Sequence, residues 1–317
     1  MDFFLEQLYQ IQFLREYLGP AGITFMNAVS QNMLSLLGII PLYIFWCCDK
    51  KAGYTMAFSV SVGSLVNHLM KLTFCIERPW LLDQRIQPPE IAIKNQGGYS
   101  FPSGHAQLAS GYLTGTAVWL RKKHVLSFLC ILSMILIGFS RVYLGVHTSL
   151  DVIVGILESI ILLMIFTKLI PWCWNDRKHT SLLSAGLIVF AASSALYFSF
   201  KPYPMHYDSF GNLLTNPKDM ITFTGVGATI GFAIGLFLEK RFINFSTDIS
   251  AKHKLFRLLI GVILYLPFYY IGNKFMVKIV GGIWNGFFFN IILWIFTLAG
   301  YPFLFNRLPI LGGVKDR

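Results

Sequence analysis

Three short segments of this chain gather cations, histidines and a carboxylate at spacings that could do chemistry. Lys71 and Arg78 stand seven residues apart and just before Pro79; Pro102-Ser103-Gly104-His105 follows; Ser140-Arg141, His147 and Asp151 complete the set. The spacing predicts that Lys71 and Arg78 share a helix face if the helix continues until Pro79 stops it. The second segment opens the next helix, Arg141 ends another, and Asp151 falls in the first turn of a further one, four residues past His147. Lys71, Arg78 and Arg141 suit a phosphate, because guanidinium forks match its paired oxygens. Ser103 and Gly104, at a helix start, offer a hydroxyl and free backbone amides to the remaining oxygens. Charge that develops on those oxygens in a transition state then meets donors already in place. His147, with Asp151 holding its Nδ1 proton, is set to attack phosphorus through Nε2. His105 would protonate the departing alcohol and then activate water against the phosphohistidine. One ring must start neutral and the other charged, so activity is expected to fall on both sides of a pH optimum.

Read as motifs, Lys71 to Pro79 is lysine, six residues, arginine, proline; Pro102 to His105 is proline, serine, glycine, histidine; Ser140 to Asp151 is serine, arginine, five residues, histidine, three residues, aspartate. Together and in this order they resemble the signature of the type 2 phosphatidic acid phosphatase superfamily. The resemblance covers roughly residues 50–170. It implies a metal-independent phosphatase without a cofactor, on an all-helical core shared with vanadium haloperoxidases. It also implies the same roles: His147 attacks, His105 is the acid, Asp151 orients His147, and Lys71, Arg78, Ser103, Gly104 and Arg141 bind phosphate.

The elements that must position these segments are membrane helices. Of 317 residues 55% are hydrophobic and 13% charged, with a mean hydropathy of +0.60, more apolar surface than a soluble globule can hide. The expected fold is an all-α polytopic bundle of about nine transmembrane helices, at 26–46, 53–74, 104–120, 125–143, 150–170, 181–199, 221–238, 256–272 and 284–304. Residues 1–20, which lack the basic start of a cleaved signal, read as an interfacial amphipathic helix ended by Gly19-Pro20-Ala21-Gly22. A catalytic core at 21–170 and a C-terminal membrane extension at 171–317 complete the organisation. An outside start puts most of the 26 Lys and Arg residues inside, Lys50, Lys51, Lys240, Lys315 and Arg317 among them. The expectation is therefore an inner cell membrane protein with an extracytoplasmic N-terminus and active site and a cytoplasmic C-terminus. The net charge of +11 follows from that topology rather than from nucleic acid. The five scattered cysteines suggest neither a disulfide framework nor a zinc site.

The nine-span topology is similar to the glucose-6-phosphatase branch, but a site at headgroup depth favours a lipid phosphate or polyprenyl diphosphate. Alternatives are a lipid phosphotransferase, a sugar-phosphate phosphatase, and a transporter or lipid-binding protein. Blander readings stand beside these. Gly227, Gly231 and Gly235 form a stripe for tight helix packing within the chain, or for a homodimer. Arg141 and Asp151 could be a structural ion pair. Glu158 is an interior carboxyl, protonated or hydrogen-bonded, or one with a substrate or proton role. Asn67 and His68 either position Lys71 or join helices. His68, His124, His179, His206 and His253 read as packed polar residues. Tyr99, Phe101, Tyr203 and Tyr207 are candidates to line a substrate path.

Overall fold

The computed structural model describes residues 2–94, 96–208 and 210–313; Lys315 and Arg317 lie outside the described residues. The chain is 79% helical, with no sheet among the described residues. In order run α1 (Asp2–Ala28), α2 (Lys50–Phe74), α3 (Gly104–Trp119), α4 (His124–Tyr143), α5 (Ser149–Trp174), α6 (Arg177–Phe200), α7 (Thr224–Leu238), α8 (Ala251–Ile279) and α9 (Asn285–Ile295). π-Helical turns interrupt the runs at Val29–Met33, Ile44–Cys48, Glu239–Ile243 and Phe296–Gly300. Eight helical runs among the described residues are long and apolar enough to cross a membrane. The difference from nine is α3, whose 16 residues rise only about 24 Å, against a roughly 30 Å hydrocarbon core.

Local sequence explains where the helices start and stop, and the structure corrects one expectation. The helix carrying Lys71 does not reach Pro79: α2 ends at Phe74, Cys75 takes a positive φ of 50°, and Arg78 is extended at φ −67°, ψ 147°. Proline disfavours the helical conformation in the residue before it yet suits the first helical position, so Pro79 starts a short helix, Pro79–Leu82, instead of ending a long one. Lys71 and Arg78 therefore do not share a helix face. At the N-terminus the expected break is present: Gly19 (φ 60°, ψ −157°) is non-helical and, with Pro20 after it, separates two helices that α1 joins across a kink, the second continuing to Ala28.

The chain divides into two compact units. The first comprises Met1–Gly38, Val66–Ile161 and Phe200–Ile221, and holds every residue expected to bind phosphate or do chemistry. Its packing clusters lie against the motifs. Leu5 and Leu8 of α1 meet Ile86, Ala106, Val142 and Val152; Val29 and Leu34 meet Ala109, Leu113 and Ile137; Ile11 and Trp80 cover Leu144 and Val146. On α1 the buried face also carries Gln12 and Arg15, while Phe13, Leu14, Tyr17 and Leu18 are exposed. Its buried polar groups thus have protein partners, Arg15 meeting Gln12 and the carbonyls of Tyr143 and Gln87, while apolar side chains face outward.

The second unit comprises Ile39–Leu65, Leu162–Ser199 and Thr222–Arg317. Here the α7 glycines let α9 and the turn after it approach closely: a Cβ on Gly231 would lie 2.7 Å from the Ile291 carbonyl, and one on Gly235 2.9 Å from Leu298 Cβ. The stripe is thus occupied within the chain. Buried Glu239 takes a 2.6 Å ion pair from Lys50 and a 2.8 Å hydrogen bond from the Tyr54 hydroxyl, which satisfies a charge that would otherwise be costly.

Candidate active site

The first turn of α5 sets the carboxylate. Thr148 and Asp151 cap it reciprocally: Asp151 Oδ2 accepts from the Thr148 amide at 2.8 Å, and Thr148 Oγ1 accepts from the Asp151 amide at 3.2 Å, the arrangement of a capping box. Ser100 Oγ donates to the same Oδ2 at 2.7 Å. His147, just before the cap and 2% exposed, brings Nδ1 to 3.5 Å from both Asp151 Oδ2 and Ser100 Oγ. Its Nε2 lies 3.0 Å from Arg78 Nη1. A guanidinium can only donate, so Nε2 must be the unprotonated nitrogen and Nδ1 carries the proton toward Asp151. Burial, reinforced by the charges of Arg78, Lys71 and Arg141, pushes the His147 pKa well below its ordinary value of 6.5. The result is a neutral imidazole with its lone pair on the nitrogen that faces the cations.

Backbone contacts then bring the other motif to this turn. The Ser103 amide donates to the Asp151 carbonyl at 2.9 Å. That approach needs Gly155, where a Cβ would come 2.5 Å from the Ser103 carbonyl oxygen. Ser103 caps α3 from an extended conformation, and its buried hydroxyl has no partner among the described residues. The first amides of α3 have no acceptor one turn back, as at any helix start, so hydroxyl and amides form one donor set. Gly104 is not demanded by packing, since a Cβ there would meet only Asn67 Oδ1 at an ordinary 3.6 Å. His105, the next residue, is half-buried, and its ring acts electrostatically on His147.

The three cations do different jobs. Lys71 Nζ donates to the carbonyls of Tyr99 (2.7 Å), Ser100 (3.2 Å) and Pro102 (2.6 Å). Arg78 donates to the carbonyls of Gly97 (2.7 Å), Gly98 (3.0 Å) and Val146 (3.1 Å). Both therefore hold the loop between α2 and α3, where Gly98 takes a φ of +71°. Arg141, 0% exposed, is different. Its Nη1 donates to Ser30 Oγ, while Nε and Nη2 have no partner among the described residues. It turns to Ser30 rather than to Asp151, so the structural ion pair is not what holds it.

Around this centre the loops are tied down. Glu77, 4% exposed beside Arg78, accepts from the Thr215 hydroxyl and pairs with His206 Nδ1 at 3.1 Å. Lys201 Nζ donates to the carbonyls of Leu72 and Thr73. Arg15 of α1 donates to the carbonyls of Tyr143 (3.1 Å) and Gln87 (2.6 Å). Asn67 donates to Glu158 Oε2 at 3.0 Å, joining α2 to α5, and Glu158 Oε1 has no partner among the described residues. Of the loop aromatics, Tyr99 and Phe101 are buried and Tyr207 is exposed.

Every candidate named from the sequence lies in this one unit, with Lys71 and Arg78 facing loop carbonyls in this structure. Sequence reading missed Ser100, Thr148, Gly155 and Ser30. Only Thr148 had a local signal, the threonine three residues before an acid at a helix start. The others act across long sequence separations.

Comparison with known proteins follows the same residues. The model of the PAP2 superfamily matches residues 52–175, and that of the PAP2 superfamily phosphatase transmembrane extension matches residues 223–314. The chain is 30% identical over 142 residues to phosphatidylglycerophosphatase B of Bacillus subtilis, covering 42% of this chain and 65% of that protein. It is 32% identical over 118 residues to undecaprenyl-diphosphatase of Sulfolobus acidocaldarius, covering 37% and 54%. It is 32% identical over 168 residues to sphingosine-1-phosphate phosphatase 1 of Mus musculus, covering 49% and 37%. The chain thus spans less than two thirds of each of these relatives. No solved structure matches it significantly.

Proposed function

The chain belongs to the PAP2 superfamily, and from that premise we propose that it is an integral membrane phosphatase that hydrolyses a lipid phosphate or polyprenyl diphosphate through phosphohistidine at His147. One observation carries the reading: among the described residues the buried Nε and Nη2 of Arg141 and the Ser103 hydroxyl have no partner, in the unit where the His147 lone pair faces Arg78. Donors left unsatisfied in a buried site are costly, and a tetrahedral anion satisfies them together.

In this reading the phosphate seats against Arg141, Ser103 and the first amides of α3, and takes over the Arg78 donor that now meets Nε2. His147 Nε2 attacks phosphorus as the bond to the leaving oxygen breaks, and His105 gives that oxygen a proton. The bound phosphate dianion favours the charged form of His105 before this step. Water then attacks the phosphohistidine, His105 takes its proton, the P–N bond breaks and phosphate leaves. Asp151, with Ser100, keeps the Nδ1 proton in place throughout. Lys71 and Arg78 hold the loop and add positive charge that stabilises the transition state.

Phosphatidylglycerophosphate, undecaprenyl diphosphate and sphingosine 1-phosphate are the substrates to try first, because the relatives are named for them. Family likeness also argues for chemistry without a metal. The site would face the extracytoplasmic side, with the C-terminus in the cytoplasm and residues 171–317 as a membrane extension to the core at 21–170.

Phosphate release by purified protein from these three lipids, phosphatidate and glucose 6-phosphate tests the reading. His147→Ala should abolish release, a fall of at least about 10³-fold, while the protein remains folded. Orthovanadate should inhibit and a chelator should not. Retained turnover in the variant removes the nucleophile, and inactivation by chelator alone points to a metal. Label passing from donor to a second lipid would identify a transferase.

A further inference from the structure

We propose that Ser30 is a positioning residue that aims Arg141 at the phosphate, an inference that rests on the reading of the site above. A guanidinium can grip two oxygens along one edge at a time. Ser30 Oγ accepts from Nη1 of Arg141, and Nε and Nη2 have no partner among the described residues. Those two nitrogens form the side edge of the guanidinium, the one that takes a phosphate in parallel hydrogen bonds. Ser30 and Arg141 are both 0% exposed, so bulk solvent does not reach the contact. With that acceptor in place, the plane of the guanidinium is held by its far nitrogen, and its working edge points one way.

The backbone is built for this contact. Ser30 lies in the π-helical turn Val29–Met33, where an extra residue per turn shifts the side chains away from the α1 register. Such turns are frequent at functional sites. Val29 and Leu34 fix the turn against Ala109 and Leu113 of α3 and Ile137 of α4, the two helices whose ends carry His105 and Arg141. This turn lies outside residues 52–175, the stretch matched by the PAP2 model. The phosphate site therefore uses a side chain from the first membrane span.

The test uses the full chain in detergent, with phosphate release and orthovanadate inhibition measured for Ser30→Ala, Ser30→Cys, Ser30→Thr and Arg141→Ala. Cysteine keeps the bulk but accepts hydrogen bonds weakly, so it stays informative if alanine fails to fold. Ser30→Cys is expected to lower kcat/KM and weaken vanadate inhibition by about tenfold to hundredfold. Ser30→Thr, which keeps the hydroxyl, should stay within a few-fold of the natural protein. Because the serine acts through the arginine, adding Ser30→Cys to Arg141→Ala should cost nothing more. Ser30→Cys at full activity beside an impaired Arg141→Ala overturns the proposal, as would fully additive losses. Full activity in Arg141→Ala would instead overturn the reading of the site, and this proposal with it.

Discussion

Arg78 decides the state of His147 because an arginine has no acceptor to offer. The 3.0 Å contact to Nε2 assigns the tautomer, and burial, reinforced by the surrounding positive charge, resists a second proton on the ring. A histidine whose pKa falls on folding stays neutral to lower pH than it does in the unfolded chain. Its contribution to stability is present above 6.5 and is lost as pH falls toward the folded value. The same direction governs the free enzyme in catalysis, so the acid limb of kcat/KM should lie below pH 6.5. An acid limb at or above that value would mean that burial and the cations do not depress the ring in the free enzyme. At this scale the candidate residues were legible because rare ionisable groups in an apolar chain stand out. Their partners were not: nothing in the spacing says that Lys71 spends its donors on the carbonyls of Tyr99, Ser100 and Pro102.

Helix starts do most of the positioning. α3 and α5 begin next to each other, tied by the Ser103 amide on the Asp151 carbonyl, and this requires that α5 present no side chain at residue 155. Gly155→Ala should therefore push the start of α3 outward, costing about 1–3 kcal/mol and most of the activity. Thermal unfolding alongside phosphate release would check both; a variant as stable and active as the natural protein would show that the approach tolerates a methyl group. Pro79 illustrates the limit of reading elements from sequence. A proline after an apolar run suggests a helix end, but here it begins a new helical turn, and the backbone reverses upstream at Cys75. That reversal, rather than a shared helix face, brings Arg78 to His147.

For the whole molecule, orientation in the bilayer is the property that the proposed function needs. A cysteine placed at Phe210, which is 81% exposed, should react with a membrane-impermeant maleimide in intact cells, whereas one at Lys122 should react only after permeabilisation. The opposite pattern would put the site on the cytoplasmic side. Composition and hydropathy were enough to establish a helical membrane protein, because a bilayer leaves the backbone only helices or closed barrels, and continuous apolar runs of about twenty residues fit the helix. The motifs were enough to name its catalytic candidates. Which donors are free to meet an anion, which are spent on the loop, and that Ser30 holds Arg141 were decided only by tertiary structure. Such pairings join residues 19 to 111 positions apart, and local sequence carries no record of which separated groups burial will bring together.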